Sequence, residues 1–237
     1  EKIVSLKKPD GFFDPNKLVE EGAQDNVDED EEAKTIEDKA RNSRYPMLSF
    51  SNTDMAFSQD LLVAGSYHGF NIYSLANNGM PELISSVICP GGQGDVSIVE
   101  HLLIMSVEET RGRIDCGLQG AGSEPTPDRF RGIRIFDISN PQNPMQVGIV
   151  QTCRGSHTHS VVNARTNEGN IIVYNSGTSS VRDQDELETC FEAIPGDNRT
   201  ALFRIDVIEI PIDNPSSSRI VKSPTVFADE ETGVLAG

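Results

Sequence analysis

GIRIFDISNPQNP, Gly132 to Pro144, is the stretch whose reading decides the fold. Ile133, Ile135 and Ile138 interleave with Arg134 and Asp137, the alternation of a β-strand whose side chains point to opposite faces in turn. The Asn-Pro pairs that follow break the strand and mark a turn. Another strand, Met145–Val150, leaves that turn. Upstream lie two more short apolar stretches, Asp95–Val99 and Leu102–Val107. The motif is therefore the third strand of a unit of four.

The unit recurs. GFNIYSLAN (Gly69 to Asn77) matches GIRIFDISN (Gly132 to Asn140) at an offset of 63. VICPGGQGDVSIV (Val87 to Val99) matches TCRGSHTHSVV (Thr152 to Val162), with Cys89 and Cys153 offset by 64. DMAFSQDLLVAGS (Asp54 to Ser66) lies without gaps on DVSIVEHLLIMSV (Asp95 to Val107), and FRIDVIEIPIDNP (Phe203 to Pro215) begins a third copy. Four short strands per repeat, at a period of about 40–50 residues plus insertions, are the signature of a β-propeller blade. The expected fold is all-β: a β-propeller with about three four-stranded blades in residues 47–237, part of a larger closed ring. A β-sandwich is the competing reading.

The element IFDISNP.NP, followed by a strand and by the next unit, resembles the LVIVD-repeat proteins over about Ser51 to Phe227. The resemblance implies a propeller in a secreted or cell-surface protein and no particular reaction. A closed propeller needs at least four blades. The missing ones are expected from the rest of a longer protein or from a second chain, which makes a protein partner, a filament or a supercomplex part of the expectation. The chain begins at Glu1, without a methionine or a signal peptide, which reads as a processed or trimmed N-terminus.

The bulk numbers set limits. Among 237 residues, 36% are hydrophobic and none is tryptophan, so Ile, Val, Leu and Phe must build the core. The formal charge of −17 argues against nucleic-acid binding and against docking on anionic membranes. No apolar run approaches the ~20 residues of a membrane span. Much of the acid is local to Glu20–Arg41, within a head of residues 1–46 that lies outside the repeat. The head reads as an acidic arm, partly disordered or helical, or as an arm packed on a neighbouring subunit.

The cysteines occupy repeated slots. Cys89 and Cys153 precede first strands, whereas Cys116 and Cys190 sit in long connections between second and third strands. In a propeller those connections emerge on one face, so repeat equivalence pairs Cys89 with Cys116 and Cys153 with Cys190. Four free buried thiols are the alternative. Disulfides persist in an oxidising compartment, which points to a secreted, periplasmic or cell-surface protein.

The same alignment sets His159 level with Asp95 and Asp54, and His157 level with Gln93 and Asn52, as a polar ring at the mouth of the central channel. Three readings stay open. The ring can be structural, with aspartates accepting backbone N–H bonds at strand entries. His157, His159, Asp95 and Asp54 can hold a divalent metal (Zn, Mn or Fe), since His157 and His159 share one side of a strand. Or Arg154, Gln93 and Asn52 can line a metal-free ligand pocket, Arg154 clamping an anion with its two-pronged guanidinium. His68 and His101 have no repeat equivalents and read as surface residues. There is no G-x-S-x-G elbow, P-loop, Rossmann glycine pattern, H-E-x-x-H or Cys-x-x-Cys. The functional expectation is an extracytoplasmic propeller acting as a binding or assembly module. The alternatives are a metal-dependent enzyme at the channel mouth and a subunit of a filament or supercomplex.

Overall fold

A computed structural model describes residues 4–6, 9, 52–122, 124–192 and 199–226. The reading of residues 1–46 as an acidic arm falls, apart from 4–6 and 9, outside the described residues. The described residues form twelve strands in three antiparallel sheets, each a meander of four. The first holds β1 (Asn52–Ser58), β2 (Leu61–Ser66), β3 (Gly69–Ser74) and β4 (Glu82–Ile88). The second holds β5 (Val96–Val99), β6 (Leu102–Val107), β7 (Gly132–Asp137) and β8 (Met145–Gln151). The third holds β9 (Thr158–Asn163), β10 (Asn170–Ser176), β11 (Asp206–Pro211) and β12 (Arg219–Lys222).

Local chemistry sets the hairpins. Gly69 and Gly132 open the equivalent strands β3 and β7 at φ 138° and 144°. A Cβ at either would lie 2.0 Å from a carbonyl oxygen of the next strand, Val87 or Val150, so only glycine fits there. After β7, Asp137 Oδ1 accepts from Ser139 N at 2.8 Å, and Asn140 Oδ1 accepts from Gln142 N at 3.2 Å. These side chains satisfy the backbone through the SNPQNP turn.

The second sheet lies between the other two, and every residue of β6 is buried. A strand covered on both faces reads as a continuous apolar run, as LLIMSV does. On one side Leu103, Met105 and Phe136 meet Val63, Phe70 and Ile72 of the first sheet. There Phe70 and Phe136 pack edge to face with ring centroids 4.9 Å apart. On the other side Ile104, Ile133 and Ile135 meet Ile171, Val173, Ile208 and Ile210 of the third sheet.

The propeller expectation is corrected here. The three sheets are separate, and none closes into a barrel or propeller. The ends of the stack show why there is no ring. On the first sheet Met55 and Phe57 are 58% and 63% exposed, and on the third Val162 and Tyr174 are 49% and 45% exposed. A closed ring would bury both faces against neighbours. The strand positions themselves stand within a residue or so of the repeat reading, but the repeat does not continue into a ring. The binding-module, filament and supercomplex readings built on a propeller lose that basis. His68, expected at the surface, is buried at 8% exposure in the two-residue turn between β2 and β3.

Two disulfides are present, Cys89–Cys116 and Cys153–Cys190. They are consistent with an oxidising, extracytoplasmic environment. No helix among the described residues is long and apolar enough to cross a membrane.

Candidate functional site

The polar positions at the strand entries form seams between sheets. Asp54 Oδ2 accepts from the backbone N–H of Val96 at 3.1 Å, and Asp95 Oδ2 accepts from that of His159 at 2.7 Å. An aspartate at the entry of one sheet thus grips the first strand of the next. The parallel makes His159 the counterpart of Val96, one position on from the gapless alignment. Strand pairing agrees: Val96 lies opposite Met105, and His159 lies opposite Asn175. A shift of one residue turns every side chain to the other face. His159 therefore faces inward, its side chain fully buried, and the slot of Asp95 falls to Thr158.

His159 Nδ1 lies 2.9 Å from Asp95 Oδ2 and 2.8 Å from Ser106 Oγ. The trio has the composition of a serine hydrolase triad but not its wiring. A triad places the acid on one ring nitrogen and the serine on the other. Here both compete for Nδ1, Ser106 is wholly buried, and Nε2 has no partner among the described residues. Burial pushes the Asp95 carboxyl up, but the bonds and charge from His159 outweigh it, and the group titrates below the usual carboxylate range. Asp95→Ala is expected to cost about 1.5–3 kcal/mol, the worth of hydrogen bonds to a charged acceptor. Asp54→Ala, which frees a single backbone N–H, is expected to cost less; paired urea denaturation curves give the comparison.

His157 belongs to a different cluster and is 41% exposed. Its Nδ1 lies 2.7 Å from Glu108 Oε2, 3.0 Å from Gln93 Nε2 and 3.3 Å from Thr178 Oγ1. Glu108 Oε1 in turn accepts from Thr178 N, Thr178 Oγ1 and Ser179 N at 2.5, 2.9 and 3.1 Å. Each imidazole is held by its own carboxylate. Among the described residues no group of three or more His, Cys, Asp or Glu side chains could hold a metal ion. The structure does not gather His157, His159, Asp95 and Asp54 into one set, and the reading of a metal-dependent enzyme at a channel mouth is withdrawn. Asp54 and Asp95 are spent on backbone N–H groups, and the two rings face different partners.

Arg154 does line a cavity, a small one open to solvent. Its walls include Cys153, Asn175, Arg204 and Asp206. Gln93 lies instead at His157, and Asn52 is exposed at the start of β1. The Arg154 guanidinium is fixed by bonds from Nε to Ser179 O at 2.8 Å and from Nη2 to Thr178 O at 3.0 Å. Arg204 Nε pairs with Asp206 Oδ1 at 3.1 Å, and its Nη2 lies 3.1 Å from Cys153 Sγ. Asn175 is 2% exposed; its Nδ2 donates to Gly155 O at 3.2 Å. Its buried Oδ1 has no partner among the described residues.

Two long loops frame this end. Residues 108–131 and 177–205 are locked together by Glu186, which takes Arg129 Nε at 2.5 Å on one oxygen and Arg182 Nε at 3.0 Å on the other. Sequence reasoning missed Glu108, Asn175, Glu186 and Arg204. Glu108 and Glu186 lie outside the repeat, and neither the alternation that buries Asn175 nor the FRIDVIEIPIDNP match that holds Arg204 signals a role for either.

No family model matches the chain, and no curated protein matches it. Solved structures give partial likenesses. A computationally designed protein, Ika4, is 14% identical, with 74% of this chain and 91% of that one covered and a TM-score of 0.29. A Lactobacillus plantarum protein is 10% identical, with 75% and 72% covered and a TM-score of 0.24. A luciferin-regenerating enzyme is 12% identical, with 75% and 62% covered and a TM-score of 0.22. Likenesses this slight carry no argument. No family model supports the LVIVD resemblance and the three sheets do not close, so the resemblance is withdrawn.

Proposed function

We propose that this is an extracytoplasmic recognition domain that binds a small carboxylate group in the cavity beside Arg154. The supporting observation is the convergence there of two guanidiniums, Arg154 and Arg204, with a buried amide oxygen that lacks a donor. The guanidiniums suit a carboxylate. Asn175 Oδ1 and Asp206 suit an adjoining ammonium or hydroxyl, so an amino-acid-like head group meets both halves of the site. The cavity is small and shallow, far below the ~300–1,000 Å³ of sites for drug-sized ligands. Only an oxygen of the terminal group reaches in; the rest of the ligand lies outside. Secretion or surface display suits the paired cysteines, and a protein partner would enter by presenting such a group at its terminus.

Calorimetry with glycine, acetate and a blocked amine is the test. Glycine and acetate are expected to bind and the amine is not. Arg154→Ala is expected to weaken binding by about 10–100-fold, the worth of a charge-assisted hydrogen bond. Equal affinity of Arg154→Ala and the parent, or no heat from either acid, would sink the reading.

A further inference from the structure

Cys153 is a wall of the cavity as well as half of a disulfide. Its sulfur is the one that Arg204 approaches, with Nη2 at 3.1 Å. A disulfide sulfur is a weak, neutral acceptor that gains little from a guanidinium. A thiolate in the same place would gain a great deal, because a fixed cation favours the charged form. The arrangement is thus better matched to the reduced bond than to the oxidised one. Stabilising the reduced form makes a disulfide easier to open.

We propose that Cys153–Cys190 is an exchangeable disulfide, opened by a small thiol, with Cys153, beside Arg204, as its low-pKa thiol. The thiolate of the small thiol attacks Cys153 Sγ. The S–S bond breaks, and Cys190 leaves with the electron pair and takes a proton from water. A second thiolate attacks the outer sulfur of the mixed disulfide. Cys153 leaves as a thiolate beside Arg204, and the small thiol departs as its own disulfide. Two thiols are oxidised and one protein disulfide is reduced. Arg204 does not react; it holds the leaving sulfur. None of this depends on whether the cavity also takes a carboxylate.

The experiment titrates the intact protein with 2-mercaptoethanol and traps thiols with iodoacetamide for peptide mass spectrometry. Cys153 and Cys190 are expected to appear at a thiol concentration about tenfold below that which frees Cys89 and Cys116. In fully reduced protein at pH 6, Cys153 is expected to alkylate about tenfold faster than Cys190, as a pKa about one unit lower requires. Arg204→Gln should erase that difference, and Arg204→Lys should largely restore it. Both bonds opening together overturns the proposal. So does equal alkylation of Cys153 and Cys190 in the parent protein, a comparison that needs no variant to fold. An undiminished rate at Cys153 in Arg204→Gln overturns the role of Arg204.

Discussion

Glu186→Ala is expected to lower stability by about 3–5 kcal/mol, the typical cost of removing one partner from a buried ion cluster. In a protein of this size that is a fall in Tm on the order of 10 °C. Glu186 is 3% exposed, and the side chains of Arg129 and Arg182 are 6% and 1% exposed. Arg129 also donates to Gly122 O and Glu124 O at 2.8 and 2.9 Å, and Arg182 to Arg129 O at 3.2 Å. Without the carboxylate, these two guanidiniums stay buried beside a third, Arg131. Burial, joined by repulsion from Arg182, already pulls Arg131 down to about 10. Acid should reproduce the effect. Burial pushes the Glu186 carboxyl up, but the bonds from Arg129 and Arg182 outweigh it, so it titrates below its ordinary value of 4.5. A carboxyl depressed in the folded state stabilises fully above its unfolded pKa and loses that contribution as pH falls through the folded one. Melting in steps from pH 6 to pH 3 should therefore show a drop below about pH 4.5. Glu186→Ala should show a shallower one. A change under about 1 kcal/mol for Glu186→Ala would mean that the loops are held by something else.

The sheets were legible because their signals are local. The alternation in GIRIFD, the glycine that begins it and the Asn-Pro turn each follow from backbone chemistry within a few residues. What the repeat could not give was closure. The apolar pattern of Met55 and Phe57 resembles that of a face about to be covered, yet these side chains face solvent. Nothing within a strand tells a terminal sheet from an interior one. The slip at His159 has a similar origin. A gapless alignment counts residues, whereas the strand entry is set by which N–H the aspartate grips, and the third sheet begins one residue later in that count. The loop chemistry was least legible. Glu108 and Glu186 lie in segments without periodicity, in a chain rich enough in acid to hide two carboxylates that matter. The cysteines escaped that difficulty because four residues in two repeated slots leave few pairings to consider.

Arg134 carries the second large prediction. Alternation along β7 would put it in water, opposite the isoleucines. Instead it is fully buried, because its sheet is covered on both sides. It faces no carboxylate at close range. Its guanidinium donates to the main-chain oxygens of Arg113 and Ile114 and to Gln146 Oε1, the last at 2.8 Å, and lies 4.2 Å over the Phe130 ring. It is a spoke from β7 into the 108–131 loop, and burial pulls it down to about 10. Arg134→Ala removes the spoke, takes a donor away from the carbonyls of Arg113 and Ile114 and opens a cavity under Phe130. The expected loss is about 3–5 kcal/mol, with faster hydrogen exchange at the Ile114 and Phe130 amides. Arg134→Met separates packing from charge. It fills most of the space and relieves the protein of a lone buried cation, which offsets part of the cost of the lost hydrogen bonds. Its loss is expected near 1–2 kcal/mol. Were the methionine variant the worse of the two, packing would not be what the arginine supplies. Were alanine within about 1 kcal/mol of the parent, water would have replaced the guanidinium at the carbonyls, and the loop would owe its place to the Cys89–Cys116 bond and Glu186 instead.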